Sequence, residues 1–185
     1  MILCEGDHDK LFTYQILKNK SINARCFSQK KLTELRVKGG ETTIIRDFSK
    51  KYSSRQLSRN ERAIIKEEGN VHNAEDIFIE LLKSGDQPCD IFLLIDQDKK
   101  NIKQLSKKIR EEIGKNLIKI TDYCYKINDN KKVFFVPNSL EDEVQKFNDK
   151  KIDHIRDKQK KLSIFREFIN LNIPWVFEFS QMFNN

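Results

Sequence analysis

The stretch "DIFLLIDQD", residues 90–98, runs apolar without a break from Ile91 to Ile95 and ends abruptly at Asp96 and Asp98. A strand with one wet face alternates polar and apolar residues, so this continuous run predicts a parallel strand covered on both faces. The next stretch, "NIKQLSKKIREEI" at 101–113, places Ile102, Leu105, Ile109 and Ile113 on one face of a helix. A buried strand, an acidic end and then an amphipathic helix make the repeating unit of an α/β fold.

The start of the chain has the same grammar. "MILC" is a short apolar run that stops at Glu5-Gly6, and Asp9 then opens "DKLFTYQILK" with Leu11, Tyr14 and Leu17 on a helical stripe. A second strand is expected within residues 24 to 28 or within "ELRVKGG" at 34–40, and "ETTIIRDFSKKY" at 41–52 reads as a helix. Residues 53 to 85 read as helical. Ser58 and Glu61 form a capping box ahead of "RAIIKEE", Gly69 ends that helix, and Asn73 caps "AEDIFIELLK". "LIKITDYCYKI" and "KKVFFVP" read as two further strands, and Ser139 caps a helix that begins "LEDEVQKF".

Residues 151–172 carry Ile152, Ile155, Leu162, Phe165 and Ile169 on one side, as expected of a long amphipathic helix interrupted near its middle. The tail "IPWVFEFSQMF" is too aromatic to float free and is expected to dock on the body or on another chain. The expectation is an α/β fold: a Rossmann-like, mainly parallel sheet of about four strands with helices on both faces, plus a C-terminal helical extension. Residues 1–148 form the α/β domain and residues 149–185 the helix and aromatic tail.

Composition narrows the class. One domain fits 185 residues, and 38% hydrophobic with 34% charged residues describes a globular chain with a strongly solvated surface. Cys4, Cys26, Cys89 and Cys124 lie far apart, with no C-x-x-C, which argues for reduced thiols rather than a disulfide framework or a zinc knuckle. No apolar run approaches the roughly 18 residues that span a bilayer, and the first residues lack a secretory pattern, so a cytoplasmic protein with no membrane association is expected. A net charge of +7 favours a polyanionic partner, DNA or RNA.

In a parallel sheet, sites form outside the carboxyl ends of the strands. Glu5 lies just past the first strand and Asp96 and Asp98 at or past the end of the central one, so neighbouring strands bring these carboxylates together. Such a group repels itself strongly at low dielectric unless one member takes a proton or a cation sits between them. All-oxygen ligation suits Mg²⁺ or Mn²⁺, ions that also bind phosphate oxygens and support phosphodiester chemistry.

These residues carry a family resemblance. "ILCEGDHDKLF" resembles the first motif of the Toprim domain, a strand followed by E-G-x-x-D and a helix, and "IFLLIDQD" resembles its second, an apolar strand ending in D-x-D. The two stand in the right order, on the right elements and about ninety residues apart. The resemblance implies a compact four-stranded parallel sheet and a Mg²⁺ site at Glu5, Asp96 and Asp98. Glu5 would then be the general acid or base, or a metal ligand, while Asp96 and Asp98 hold the metal. Gly6 would let the backbone turn, and Asp9 would support that turn and cap the helix. "FFVPNSLEDEV" is similar to the segment after D-x-D in small stand-alone Toprim-like proteins and OLD-type nucleases, and by that analogy Glu141 adds a carboxylate to the same edge. An acidic residue in a helix's first turn also favours the helix dipole with no further role.

Toprim domains serve in topoisomerases, primases, recombination mediators, a ribosomal RNA maturation nuclease and OLD-type nucleases. Lys100 stands where topoisomerases extend the second motif to D-x-D-x-D, and no G-x-x-x-x-G-K-[ST] phosphate loop is present. The implied activity is a nuclease. The alternatives are a non-catalytic nucleic-acid-binding or assembly module, serving a separate ATPase or forming a homo-oligomer through the C-terminal helix or tail, and a primase-like nucleotidyltransferase.

Lys99, Lys100, Lys103 and Lys107 form a basic row beside the acidic pair, and Arg55, Arg59, Arg62 and Lys66 recur at helical spacing as a second track for phosphates. Each lysine or arginine is equally well read as part of a solvated helix face. His8, set between Asp7 and Asp9 on the turn, reads as a surface residue rather than a participant.

Overall fold

The computed structural model describes residues 1–27, 61–83, 89–97, 102–148 and 151–184. Its strands are β1 (Ile2–Cys4), β2 (Asn23–Phe27), β3 (Glu61–Glu67), β4 (Ile91–Asp96), β5 (Ile118–Lys119), β6 (Cys124–Asn128) and β7 (Lys131–Val136). The helices are α1 (Asp7–Asn19), α2 (Val71–Lys83), α3 (Ile102–Ile113), α4 (Leu140–Phe147), α5 (Lys158–Ile169) and α6 (Pro174–Gln181), with a 3₁₀ turn at Ile152–His154. "ELRVKGG", "ETTIIRDFSKKY", Arg55, Ser58, Arg59, Asp98, Lys99 and Lys100 lie outside the described residues.

The strands form one sheet in the order β2-β3-β1-β4-β7-β6-β5. The five strands from β2 to β7 in that order run parallel, and the β6 and β5 pairings are antiparallel. Among the described residues the sheet therefore has seven strands rather than about four. Every residue of β4 is buried, as a parallel strand covered on both faces requires. Its side chains alternate between two cores. Phe92 and Leu94 join Ile2, Cys4, Phe134 and Val136 under α1 and the C-terminal helices, while Ile91, Leu93 and Ile95 join Leu3, Val133 and Phe135 under α2 and α3.

The segment "RAIIKEE" is β3, not a helix. It runs parallel to both β2 and β1, with Ile65 opposite Ile2 and opposite Cys26, so ladder bonds and burial on two faces outweigh its helical reading. Lys66 disguises the strand by interrupting the apolar run, and in its buried position its Nζ meets the Glu68 carboxylate at 2.6 Å. Gly69, at φ 82°, turns the chain out of a strand rather than ending a helix. The cap of α2 is Asn70, whose Oδ1 accepts from the Asn73 amide at 2.9 Å, whereas the Asn73 side chain donates back to the Glu68 carbonyl.

The expected single strand at 117–127 is split. Thr121 Oγ1 accepts from the amides of Tyr123 and Cys124, a local turn that separates β5 from β6. The expected long helix from 152 is broken too: after the 3₁₀ turn the chain restarts at α5, where Asp157 accepts from the amides of Gln159 and Lys160.

The aromatic tail docks on this chain's own body. Trp175, Val176 and Phe179 belong to the same buried cluster as Phe12. The Phe12 ring stands 5.5 Å from Trp175, 5.8 Å from Phe165, 6.1 Å from Phe179 and 6.2 Å from Phe168. Phe12 thus locks α1 to the C-terminal helices and fixes where α1 begins. Among the described residues, no helix is long and apolar enough to cross a membrane.

Phe12→Ala should cost about 3–5 kcal/mol of unfolding free energy by urea denaturation, because one ring holds both C-terminal helices. A loss below about 1 kcal/mol would show that they pack independently of α1.

Candidate acidic site at the carboxyl edge of the sheet

Three neighbouring parallel strands deliver this site. Cys4 of β1 pairs with Leu94 of β4, and Asp96 of β4 pairs with Val136 of β7, so Glu5, Asp96 and the β7–α4 loop leave the sheet side by side. β1 lies between β3 and β4, and β4 between β1 and β7, so chain leaves the sheet on both sides of this edge.

Each local structure has its cause in the sequence. Gly6 is the N-cap of α1 in extended backbone, and its amide donates to Asp9 Oδ2 at 2.9 Å. Asp9 therefore closes the turn from the third helical position, one half of a capping box. On the far side, Asn138 takes a left-handed φ of 56° and Ser139 caps α4 by accepting from the Asp142 amide. The Gln97 amide reaches the carbonyls of both Val136 and Asn138, tying the end of β4 to this loop. Asp96, only 2% exposed, accepts from the Leu140 amide at 3.2 Å, so the first N–H of α4 points at its carboxylate.

Asp9 reports how these groups stand to one another. Its carboxyl is held well above the usual carboxylate range, first by burial and then by the negative charges of Asp96, Glu141 and Glu5, with only the Gly6 amide prominent in the opposite sense. Four carboxylates from the ends of β1 and β4 and the starts of α1 and α4 thus act on one locality. The set is all-oxygen and net negative, the donor chemistry of a hard divalent cation. Among the described residues, however, the three ligand side chains whose donor atoms lie within 4.8 Å of one another are His8, Glu141 and Asp153. Cys4, directly beneath, does not compete for such a cation: burial first, and then Asp9 and Glu67, push its thiol well up and keep it protonated.

Asp9 is therefore a titratable member of the cluster, its carboxyl favoured in the protonated form, as well as the support of the turn. Asp98 lies outside the described residues. Lys103 and Lys107 are exposed on α3, with Lys107 3.7 Å from Glu111. Lys108 is held by Asp76 of α2. The second basic track does not form as drawn: Arg62 and Lys66 lie on a strand, where helical spacing has no meaning, and Lys66 is buried.

His8 is the residue that sequence reasoning set aside. Its Nδ1 lies 2.5 Å from Glu141 Oε1 and 3.4 Å from Asp153 Oδ1, and its Nε2 lies 2.7 Å from Lys161 Nζ. A histidine in the first turn of a helix was the only local signal. The partners stand 133 and 153 residues away in the chain.

No family model matches the chain, and no curated protein matches it. Among solved structures, a de novo designed protein with a P-loop NTPase fold, determined by solution NMR, is similar at 16% identity over 92% of this chain and 89% of that chain, with a TM-score of 0.32.

The raised Asp9 carboxyl fixes a pH dependence. Below about pH 4 both the folded and unfolded forms are protonated and its contribution is fully present. As pH rises toward the folded value, only the unfolded form ionises, so stability is lost. Asp9→Asn does not titrate there, so in EDTA the stability of wild type relative to this variant should fall steadily above about pH 4 by urea denaturation. A difference that stays constant with pH would contradict the buried, repelled state of Asp9.

Proposed function

We propose that this chain is a metal-dependent enzyme acting on DNA or RNA in the cytoplasm, a nuclease of Toprim type that cleaves phosphodiester bonds. What supports this reading is the placement of Glu5 and Asp96 at the carboxyl ends of the neighbouring parallel strands β1 and β4, where their charges and that of Glu141 raise the buried Asp9 carboxyl. Its repulsion is what a Mg²⁺ or Mn²⁺ ion relieves.

Glu5, Asp96 and Asp98 would hold the ion, with Glu141 at the margin. When bound, the ion supplies electrostatic stabilisation of the transferring phosphoryl group and lowers the pKa of an attacking water. The rest falls to the chain itself. The Leu140 amide donates to the Asp96 carboxylate and orients it. Glu5, on the turn beside Gly6, would take or return a proton at its carboxylate where it does not ligate the ion. Asp9 holds that turn through the Gly6 amide and stores a proton while the cluster is without a cation. The exposed Lys103 and Lys107 offer contacts to phosphates leading toward this edge.

Pure protein incubated with Mn²⁺ or Mg²⁺ should cut single- or double-stranded DNA or RNA, and Asp96→Asn should reduce that cutting to background with the circular dichroism unchanged. Equal cleavage by the variant would overturn the assignment. Salt-sensitive binding without cleavage by wild type would make the chain a binding module instead.

A further inference from the structure

Beside the carboxylate cluster, three ligand-bearing side chains from three separate elements meet. One donor atom each from His8, Glu141 and Asp153 lies within 4.8 Å of the others. We propose that these residues form a second cation site, for a divalent transition metal such as Mn²⁺, Co²⁺ or Zn²⁺. The site shares Glu141 with the carboxylate cluster but does not rest on the nuclease reading.

The donor set selects the ion. Two carboxylates and an imidazole suit a borderline transition metal, whereas Mg²⁺ and Ca²⁺ take oxygen ligands. Three protein ligands leave coordination positions open, as in sites that hold water or a substrate oxygen. The frame around the donors is built in. His8 stands in the first turn of α1, one turn before Phe12, and Glu141 in the first turn of α4, capped by Ser139. Asp153 sits on the 3₁₀ turn, whose neighbour Ile152 is 1% exposed and anchors it in the core.

The present geometry is that of a hydrogen-bonded cluster. Lys161 donates to His8 Nε2, which leaves the ring proton on Nδ1 facing Glu141. Two ligands each about 2.1 Å from one ion stand roughly 3 Å apart, so His8 and Glu141 need open only modestly from 2.5 Å, while Asp153 at 3.4 Å is already spaced for it. On metal binding the cation takes Nδ1, the ring proton moves to Nε2, and the Lys161 ammonium turns away. Glu141 also acts on Asp9, so this site borders the first.

Co²⁺ titrated into metal-free full-length protein gives the test, read by its visible absorption, in wild type, His8→Gln, Asp153→Asn and Asp96→Asn. His8→Gln and Asp153→Asn should each weaken the Co²⁺ affinity by roughly tenfold or more. A smaller loss in either variant overturns the site. A Co²⁺ signal lost only in Asp96→Asn also overturns it while leaving the carboxylate cluster standing, so the two readings fail separately. Asp153 is 61% exposed, so its variant should fold. If His8→Gln does not, Zn²⁺ added to ¹⁵N-labelled wild type replaces it: a shift of the His8 Nδ1 resonance supports direct ligation, and an unmoved resonance overturns it.

Discussion

Asp9 is buried where Asp96, Glu141 and Glu5 all raise the cost of its charge. Like charges at low dielectric repel by several kcal/mol, and a fold tolerates that only when something else fixes the groups in place. Here the fixing is done by backbone. The strand registers end β1 and β4 next to one another, with Glu5 one residue past Cys4 and Asp96 two residues past Leu94, the partner of Cys4, and the amides of Gly6 and Leu140 hold Asp9 and Asp96. A helix N-terminus stands behind each of these carboxyls and offsets part of the repulsion. The remainder sets the electrostatics of the edge, and it is this repulsion that the proposed cation would relieve.

The packing follows from the need to keep that edge rigid. β4 is buried on both faces, so its end cannot drift, and Gln97 binds it to the loop that starts α4. Phe12 pins α1 from below against Phe165, Trp175 and Phe179, which gives the C-terminal helices a structural reason to exist. The same helices bring Lys161 to His8, and the turn before them brings Asp153. The C-terminal segment thus both braces the acidic edge and extends it.

The α/β class was legible because β4 and α3 each show one clean period, unbroken apolar and then helical, and because β1 and α1 repeat it. β3 was not legible. Its apolar run is cut by Lys66, whose buried pairing with Glu68 only the folded chain displays. The β5–β6 break was hidden for a similar reason, since Thr121 makes a turn by hydrogen bonds that leave no gap in the hydrophobic pattern. In the site, Glu5 and Asp96 could be read from their places at strand ends. Asp9 was read only as support for the turn, because its repulsion by Asp96 and Glu141 depends on long-range packing. His8 was lost altogether, since its partners come from the far third of the chain.

Anomalous diffraction from crystals soaked in Mn²⁺ tests the central claim most directly, because it locates the ion without relying on activity. The account predicts a peak within ligand distance, about 2.2 Å, of carboxylate oxygens of both Glu5 and Asp96. A saturating soak that leaves no peak there, with the two carboxylates turned away from one another, would contradict it.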